Sequence, residues 1–379
     1  MATRTYDEAD LQSLTRWLEG NQDSRSEGMI PELQEVIAET YPARRILATN
    51  SAMGAIHIAL QTIGVGAGDE VIVDPIVVFG GMAAMYQNAI PVWADVDGET
   101  YNMDPASVAE RIGPRTKAII VTHHFGSVAE IERILEIAAE HDVAVIEDCA
   151  HALFATQNDR YAGLFAHFSA FSFNHRKQLS TGQGGFLVIN AEEYVELSLD
   201  KGFGRVPARL NWNYAMSGAV AALALSQWPR AREYVRRDHD LALLYGQAVD
   251  GFEWLRPQRI PAENWTAYHI WAATWLGDKH GIDKQQFMKL LRANGADYFL
   301  PSFMPYGAFG LDPSPAYLYP LFAESRYVGD EQRRRFPRGL CPTAEYLVPR
   351  MFNTVLSPVE DERVERYASG LAKTIAALS

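Results

Sequence analysis

Between residues 45 and 190 of this 379-residue chain, short apolar runs rich in β-branched and aromatic residues alternate with amphipathic stretches. That alternation is the strongest constraint in the sequence, because it is the pattern of strand–helix units feeding a mostly parallel sheet. The strand candidates are 71–73, 91–94, 118–122, 143–146, 170–173 and 185–189. Between the third and fourth, Ile131, Ile134, Leu135, Ile137 and Ala138 fall at helical spacing within 129–141, a stripe suited to covering one sheet face. The stretch 51–63 also has small and apolar residues at helical spacing, with Ser51 where an N-cap is wanted.

After residue 217 the pattern changes. Ala-rich helical sequence occupies 219–225 and then 230–248, and a new apolar-alternating region starts near Trp254. A boundary is predicted between 245 and 250. It divides the chain into a larger unit, 1–247, and a smaller α+β unit, 248–379, with 269–272 as a strand and 283–294 as a helix. The N-terminal segment is free in this reading to pack with the smaller unit. The 48% hydrophobic and 21% charged residues sit within the ordinary globular range, so a chain of this length buries enough core for such a division.

The balance of 34 basic against 47 acidic residues gives a net charge of -13, the wrong sign for a protein that coats nucleic acid. A phosphate-bearing small molecule stays open, since a local cluster of backbone N–H groups can hold one whatever the global charge. No apolar run approaches the roughly 18 residues that span a bilayer, and the first residues lack a signal-peptide core, so no membrane association and a cytoplasmic location are expected. Cys149 and Cys341 are too few for a disulfide framework and lack zinc-site spacing, so no metal is expected.

Three segments carry the chemistry. In Ile146-Glu147-Asp148-Cys149-Ala150-His151 an acidic pair follows a buried-looking strand, where ligands gather in open α/β sheets, although such an Asp also serves as a turn or helix cap. In the run from Ser172 to Gly185 a strand empties into a polar loop with one lysine, Lys177, followed by glycines that permit close backbone approach. Taken alone, that lysine reads equally as a solvated surface residue. At Ser51-Ala52-Met53-Gly54 small residues mark a helix N-terminus, which offers unpaired N–H groups and a favourable dipole to a phosphate. Together they supply what pyridoxal 5'-phosphate (PLP) chemistry needs: an amine for the aldehyde, a carboxylate for the pyridine nitrogen, and a phosphate cradle.

These segments, with Asp69-Glu70-Val71-Ile72-Val73, Asp95-Val96-Asp97, Tyr101-Asn102-Met103-Asp104-Pro105 and Gly182-Gln183-Gly184-Gly185, resemble the sugar aminotransferases of the DegT/DnrJ/EryC1/StrS family over nearly the whole chain. The resemblance implies an α/β PLP-dependent transferase of fold type I, aspartate-aminotransferase-like, whose large domain holds the mostly parallel sheet. It implies that Lys177 is the Schiff-base lysine, that Asp148 pairs with the pyridine nitrogen, and that Ser172 and backbone groups of Met53 and Gly54 meet the phosphate. Phe79 falls where the family stacks a ring on the cofactor, Ala150 packs on the opposite face, and His151 bonds the ring hydroxyl. Asn213 is implied to reach the phosphate of a second subunit, making a homodimer with shared sites. The chain departs from the family at Met53, where a hydroxyl is usual, at Ala215, often Arg, and at Gln183, usually Glu.

The implied reaction is ping-pong. Glutamate or glutamine converts PLP to pyridoxamine phosphate, which aminates a keto-sugar carrying a nucleotide; a ketocyclitol or a sugar phosphate is the alternative acceptor. A PLP-dependent sugar dehydratase has histidine in place of the lysine, so Lys177 speaks against it, and His175 lies two positions early. Intact Lys177 and Asp148 speak against a non-catalytic relative. A nucleotide-binding dehydrogenase fails for want of a GxGxxG turn after a first strand.

Overall fold

The computed structural model describes residues 6–20, 28–197, 212–301, 313–325, 336–357 and 359–378. Its centre is a seven-stranded sheet of β1 (Arg45–Thr49), β2 (Glu70–Val73), β3 (Ile90–Trp93), β4 (Thr116–Thr122), β5 (Ala144–Asp148), β6 (Phe168–Ser172) and β7 (Gly185–Ile189), in the order β1-β7-β6-β5-β4-β2-β3. Only β7 runs against the rest, pairing antiparallel with β1 and β6. The six predicted strands are all present. β1 was not among them, because Arg45-Ile46-Leu47-Ala48-Thr49 has too little β-branched character to stand out beside the helix start that follows.

A parallel strand covered on both faces reads as a continuous apolar run, and each face takes alternate residues. In β4, Ile119 and Val121 enter one core while Ala118 and Ile120 enter the other; in β7, Phe186 and Val188 divide likewise from Leu187 and Ile189. Helices Met29–Thr40 and Ile131–Glu140 cover the first face, and Ala52–Ile63 and Phe79–Tyr86 cover the second. Helix Ile131–Glu140 buries Ile131, Ile134, Ile137 and Ala138, the stripe its spacing anticipates.

The two Ala-rich stretches after residue 217 form one helix, Gly218–Val249, with Pro229 inside it. Proline removes a backbone donor and would normally interrupt a helix. Here Trp228, Ala231 and Val235 on either side of it are buried in the first core, so packing overrides the local preference. The helix's second half, Leu241, Ala242, Tyr245 and Val249, belongs to a third core. Helix Glu8–Gly20 packs on Gly218–Val249, and Ser13 donates to Ala222 O (2.7 Å). The N-terminal segment thus joins the large core, not the C-terminal unit.

Strands β8 (Leu255–Pro257), β9 (Ile270–Trp275) and β10 (Met351–Val355) make an antiparallel sheet in the order β8-β9-β10. One face of β9, Trp271, Ala273 and Trp275, meets helices Lys284–Ala293 and Asp361–Ala376 in the third core. Ile270 and Ala272 face the second core and so press this sheet against the large one. Among the described residues no helix is long and apolar enough to cross a membrane.

Candidate active site

Strand β5 ends in two consecutive carboxylates, and the pleat sends them to opposite sides. Glu147 is fully buried and accepts from the N–H groups of Gly163 (2.8 Å), Phe165 (3.0 Å) and Ala166 (2.8 Å) and from Ser169 Oγ (3.1 Å). His123 completes its shell: Nδ1 accepts from Ala129 N–H (3.1 Å), so the proton sits on Nε2, which donates to Glu147 (2.9 Å). Burial alone would raise the Glu147 carboxyl, but His123 and the amide donors hold it below its usual value. Glu147 is an anchor for the loop 163–166, with no oxygen left for a ligand.

Asp148 points the other way, into a cavity of about 310 Å³ at the carboxyl end of the parallel strands. Burial raises its carboxyl above the ordinary value and Asp74 adds to the rise, opposed by the Ala150 N–H (3.0 Å) and by Lys177. Across the cavity, burial drops the Lys177 amine to about 7, opposed by Asp148. The loop carrying Lys177 is closed by Lys177 N–H to Asn174 O (2.9 Å) and by Phe173 N–H to Gly184 O (2.9 Å). Gly185 has to be glycine, since a Cβ there would stand 2.2 Å from Phe171 O and 2.9 Å from Ala52 N. That close approach brings the lysine loop beside the start of helix Ala52–Ile63.

Ser51 caps that helix, its Oγ accepting from Gly54 N–H (3.0 Å). The first N–H groups of a helix have no acceptor within it, and Ser51, Ala52 and Met53 line the cavity. Of the residues singled out in the sequence, Met53, Phe79, Asp148, Ala150, His151, Ser172 and Lys177 all line this one cavity. Gly54 does not; its amide is consumed by the cap, and a Cβ on it would meet Asn50 Oδ1 (2.8 Å) and Tyr214 (3.0 Å). Asn213 lies outside the cavity of its own chain, exposed, its side chain accepting from Ala215 N–H (3.3 Å). The basic runs 205–209 and 333–338, which by sequence could meet a substrate phosphate but read more readily as solvated surface, lie outside the described residues apart from 336–338.

The sequence reading passed over two contributors. His269, taken only as part of a strand, lines the cavity with its ring 4.7 Å from that of His151. Its segment is pressed against Gly126 (φ 106°), where a Cβ would come 2.6 Å from Tyr268 N. Beneath the wall formed by Val77, Val78 and Phe79, buried Asp74 accepts from Ile76 N–H (2.9 Å), Thr122 Oγ1 (2.8 Å) and His124 Nε2 (2.9 Å). Only the fold brings Asp74 and His124 together.

The residues fit PLP on an observation independent of the motifs. His151 Nδ1 is buried with no hydrogen-bond partner among the described residues, and burial and the nearby Lys177 hold the imidazole well below its usual pKa, hence neutral. A phenolic oxygen would satisfy that nitrogen, a pyridinium N–H would compensate buried Asp148, and the helix start suits a phosphate.

The model of the DegT/DnrJ/EryC1/StrS aminotransferase family matches residues 4–306. The chain is 35% identical over 214 residues to GDP-perosamine synthase of Caulobacter vibrioides, a match spanning 54% of this chain and 58% of that protein. It is 30% identical over 302 residues to the spore coat polysaccharide biosynthesis protein SpsC of Bacillus subtilis, 75% of this chain and 77% of that one. It is 40% identical over 152 residues to L-glutamine:2-deoxy-scyllo-inosose aminotransferase of Micromonospora echinospora, 40% of this chain and 36% of that one. An aminotransferase from Psychrobacter cryohalolentis has the same fold, with a TM-score of 0.83 at 21% identity, covering 100% of this chain and 99% of that one.

Proposed function

Since this chain belongs to the DegT/DnrJ/EryC1/StrS family of PLP-dependent aminotransferases, we propose that it moves an amino group from glutamate or glutamine to a keto-sugar, with Lys177 as the catalytic residue. The observation that carries this reading is the placement of Lys177 and Asp148 in one buried cavity, with the amine lowered to about 7. When bound, PLP supplies an aldehyde that takes up the amine and a ring that withdraws electrons from the adjacent carbon.

In this reading Asp148 holds the ring nitrogen's proton, His151 donates to or accepts from the ring hydroxyl, and Ser172 with the amides of Ala52 and Met53 binds the phosphate. Phe79 and Ala150 enclose the ring from either side. Lys177 Nζ would anchor the cofactor and, once released, would take a proton from the substrate carbon and deliver it to the carbon on the other side of the transferring nitrogen. An amine near pH 7 in its affinity serves both as acid and as base at neutral pH. The acceptor is proposed to carry a nucleotide, as in the name of the perosamine synthase; the inosose relative supports a ketocyclitol as the second reading.

The working unit in this proposal is a homodimer whose Asn213 reaches the partner's cofactor, because Asn213 lies outside its own cavity. Mixing Lys177→Ala with Asn213→Ala chains leaves one intact site per heterodimer if sites are shared; verified heterodimers without activity contradict sharing. The function is tested by loading the enzyme with PLP, adding glutamate or glutamine, and following the loss of the aldehyde form's absorbance. Nucleotide-linked ketoses and inososes are then screened for its return. Loss with neither donor removes the proposal.

A further inference from the structure

The lysine loop presents a second cation. The turn closed by Lys177 N–H to Asn174 O (2.9 Å) places Arg176 at its tip, and Arg176 and Lys177 both line the cavity. They are its only Lys or Arg side chains among the described residues. Arg176 is exposed at the mouth, and neither hydrogen bonds nor ion pairs tie it to another described residue. A guanidinium carries five N–H donors in a planar fork that matches a carboxylate two to two and keeps its charge at any working pH. In a chain with a net charge of -13, a lone uncommitted arginine at the mouth of a buried site is the natural seat for an anion.

Which anion follows from position. Arg176 lines the same cavity of about 310 Å³ as the proton-shuttling lysine, so what its guanidinium holds shares that small space with the reacting carbon. In the donor, whether glutamate or glutamine, the α-carboxylate is bonded directly to that carbon. In a nucleotide-linked ketose the phosphates stand several bonds away. Building on the functional reading above, we propose that Arg176 is a specificity-determining residue that binds the α-carboxylate of the amino donor, so that the donor's α-C–H faces Lys177.

The test uses PLP-loaded wild type, Arg176→Ala and Arg176→Lys, with α-methylglutamate as a probe that has the carboxylate but no α-proton to lose. Its binding is titrated by cofactor absorbance, and GDP binding is measured calorimetrically on the same proteins. Charged hydrogen bonds of this kind correspond to roughly 10- to 100-fold in affinity. Arg176→Ala is expected to weaken α-methylglutamate by about that factor, Arg176→Lys to recover part of the loss, and GDP affinity to stay unchanged. The variants should retain wild-type cofactor absorbance and melting temperature. Unchanged α-methylglutamate binding in Arg176→Ala overturns the inference, and so does a loss confined to GDP, which would assign the guanidinium to the acceptor's phosphates. If wild type itself neither binds the probe nor reacts with either donor, the functional reading has failed and this inference falls with it.

Discussion

Glu147 and Asp148 are adjacent in sequence, both carboxylic acids and both buried, yet the two sides of β5 they occupy are different kinds of place. On the Glu147 side three amides, a serine hydroxyl and His123 converge on one carboxylate, and its charge is fully compensated by the protein. On the Asp148 side one amide, that of Ala150, donates to the carboxylate among the described residues, and the carboxyl rises above its ordinary value. A carboxylate that the fold satisfies holds structure. One that the fold leaves under-compensated is poised to meet a ligand. The difference teaches that burial of an acid says little about its role until the donors around it are counted.

Breaking the first side should cost the fold. Glu147→Ala leaves three amides without an acceptor, two buried and one partly so, each worth about 1–3 kcal/mol, so a loss of roughly 4 kcal/mol or more is expected in chemical denaturation. A loss below about 1 kcal/mol would mean that the loop 163–166 finds other acceptors. Breaking the second side should leave the fold alone and cost the chemistry. Asp148→Asn is expected to keep wild-type stability while turnover falls roughly 10²- to 10⁴-fold, the range for removing a group that controls a proton in the reaction. Equal effects of the two variants on stability would erase the distinction.

How much of this was legible beforehand follows from the same geometry. Six of the seven strands of the large sheet were readable because strands buried on both faces are apolar throughout, and the helix over 131–140 because its stripe repeats at helical spacing. The run through Asp148 to His151 and the lysine loop lie within a few residues of strand ends, so their shared cavity could be anticipated. The opposite orientations of Glu147 and Asp148 depend on where the pleat begins, which the pair itself does not reveal. His269 arrives from the bend that leads into another sheet, 92 residues beyond Lys177 (269 minus 177), and nothing local marks it. The continuity of Gly218–Val249 through Pro229 rests on buried Trp228 and Ala231, which is tertiary information.

A smaller effect sharpens the comparison at the phosphate end. Met53→Thr places a hydroxyl where the side chain lines the cavity, and is expected to tighten PLP binding by about 1 kcal/mol or leave it unchanged, as read by titrating the apoprotein. A large loss of affinity would show that the Met53 side chain packs in a way the cavity depends on.

The central claim is that the amine of Lys177 is the group that takes up the cofactor, and one experiment addresses it without any substrate. The apoprotein is loaded with PLP between pH 5 and 9, reduced with borohydride and digested, and the modified lysine is located by peptide mass. Because the amine is lowered to about 7, its neutral, nucleophilic form gains as pH rises through that value. The account expects the label on Lys177, a loading rate that climbs with a midpoint near pH 7 rather than near the ordinary lysine value, and no label in Lys177→Ala. A label on any other lysine, or a Lys177→Ala protein that still fixes the cofactor and turns over, contradicts it.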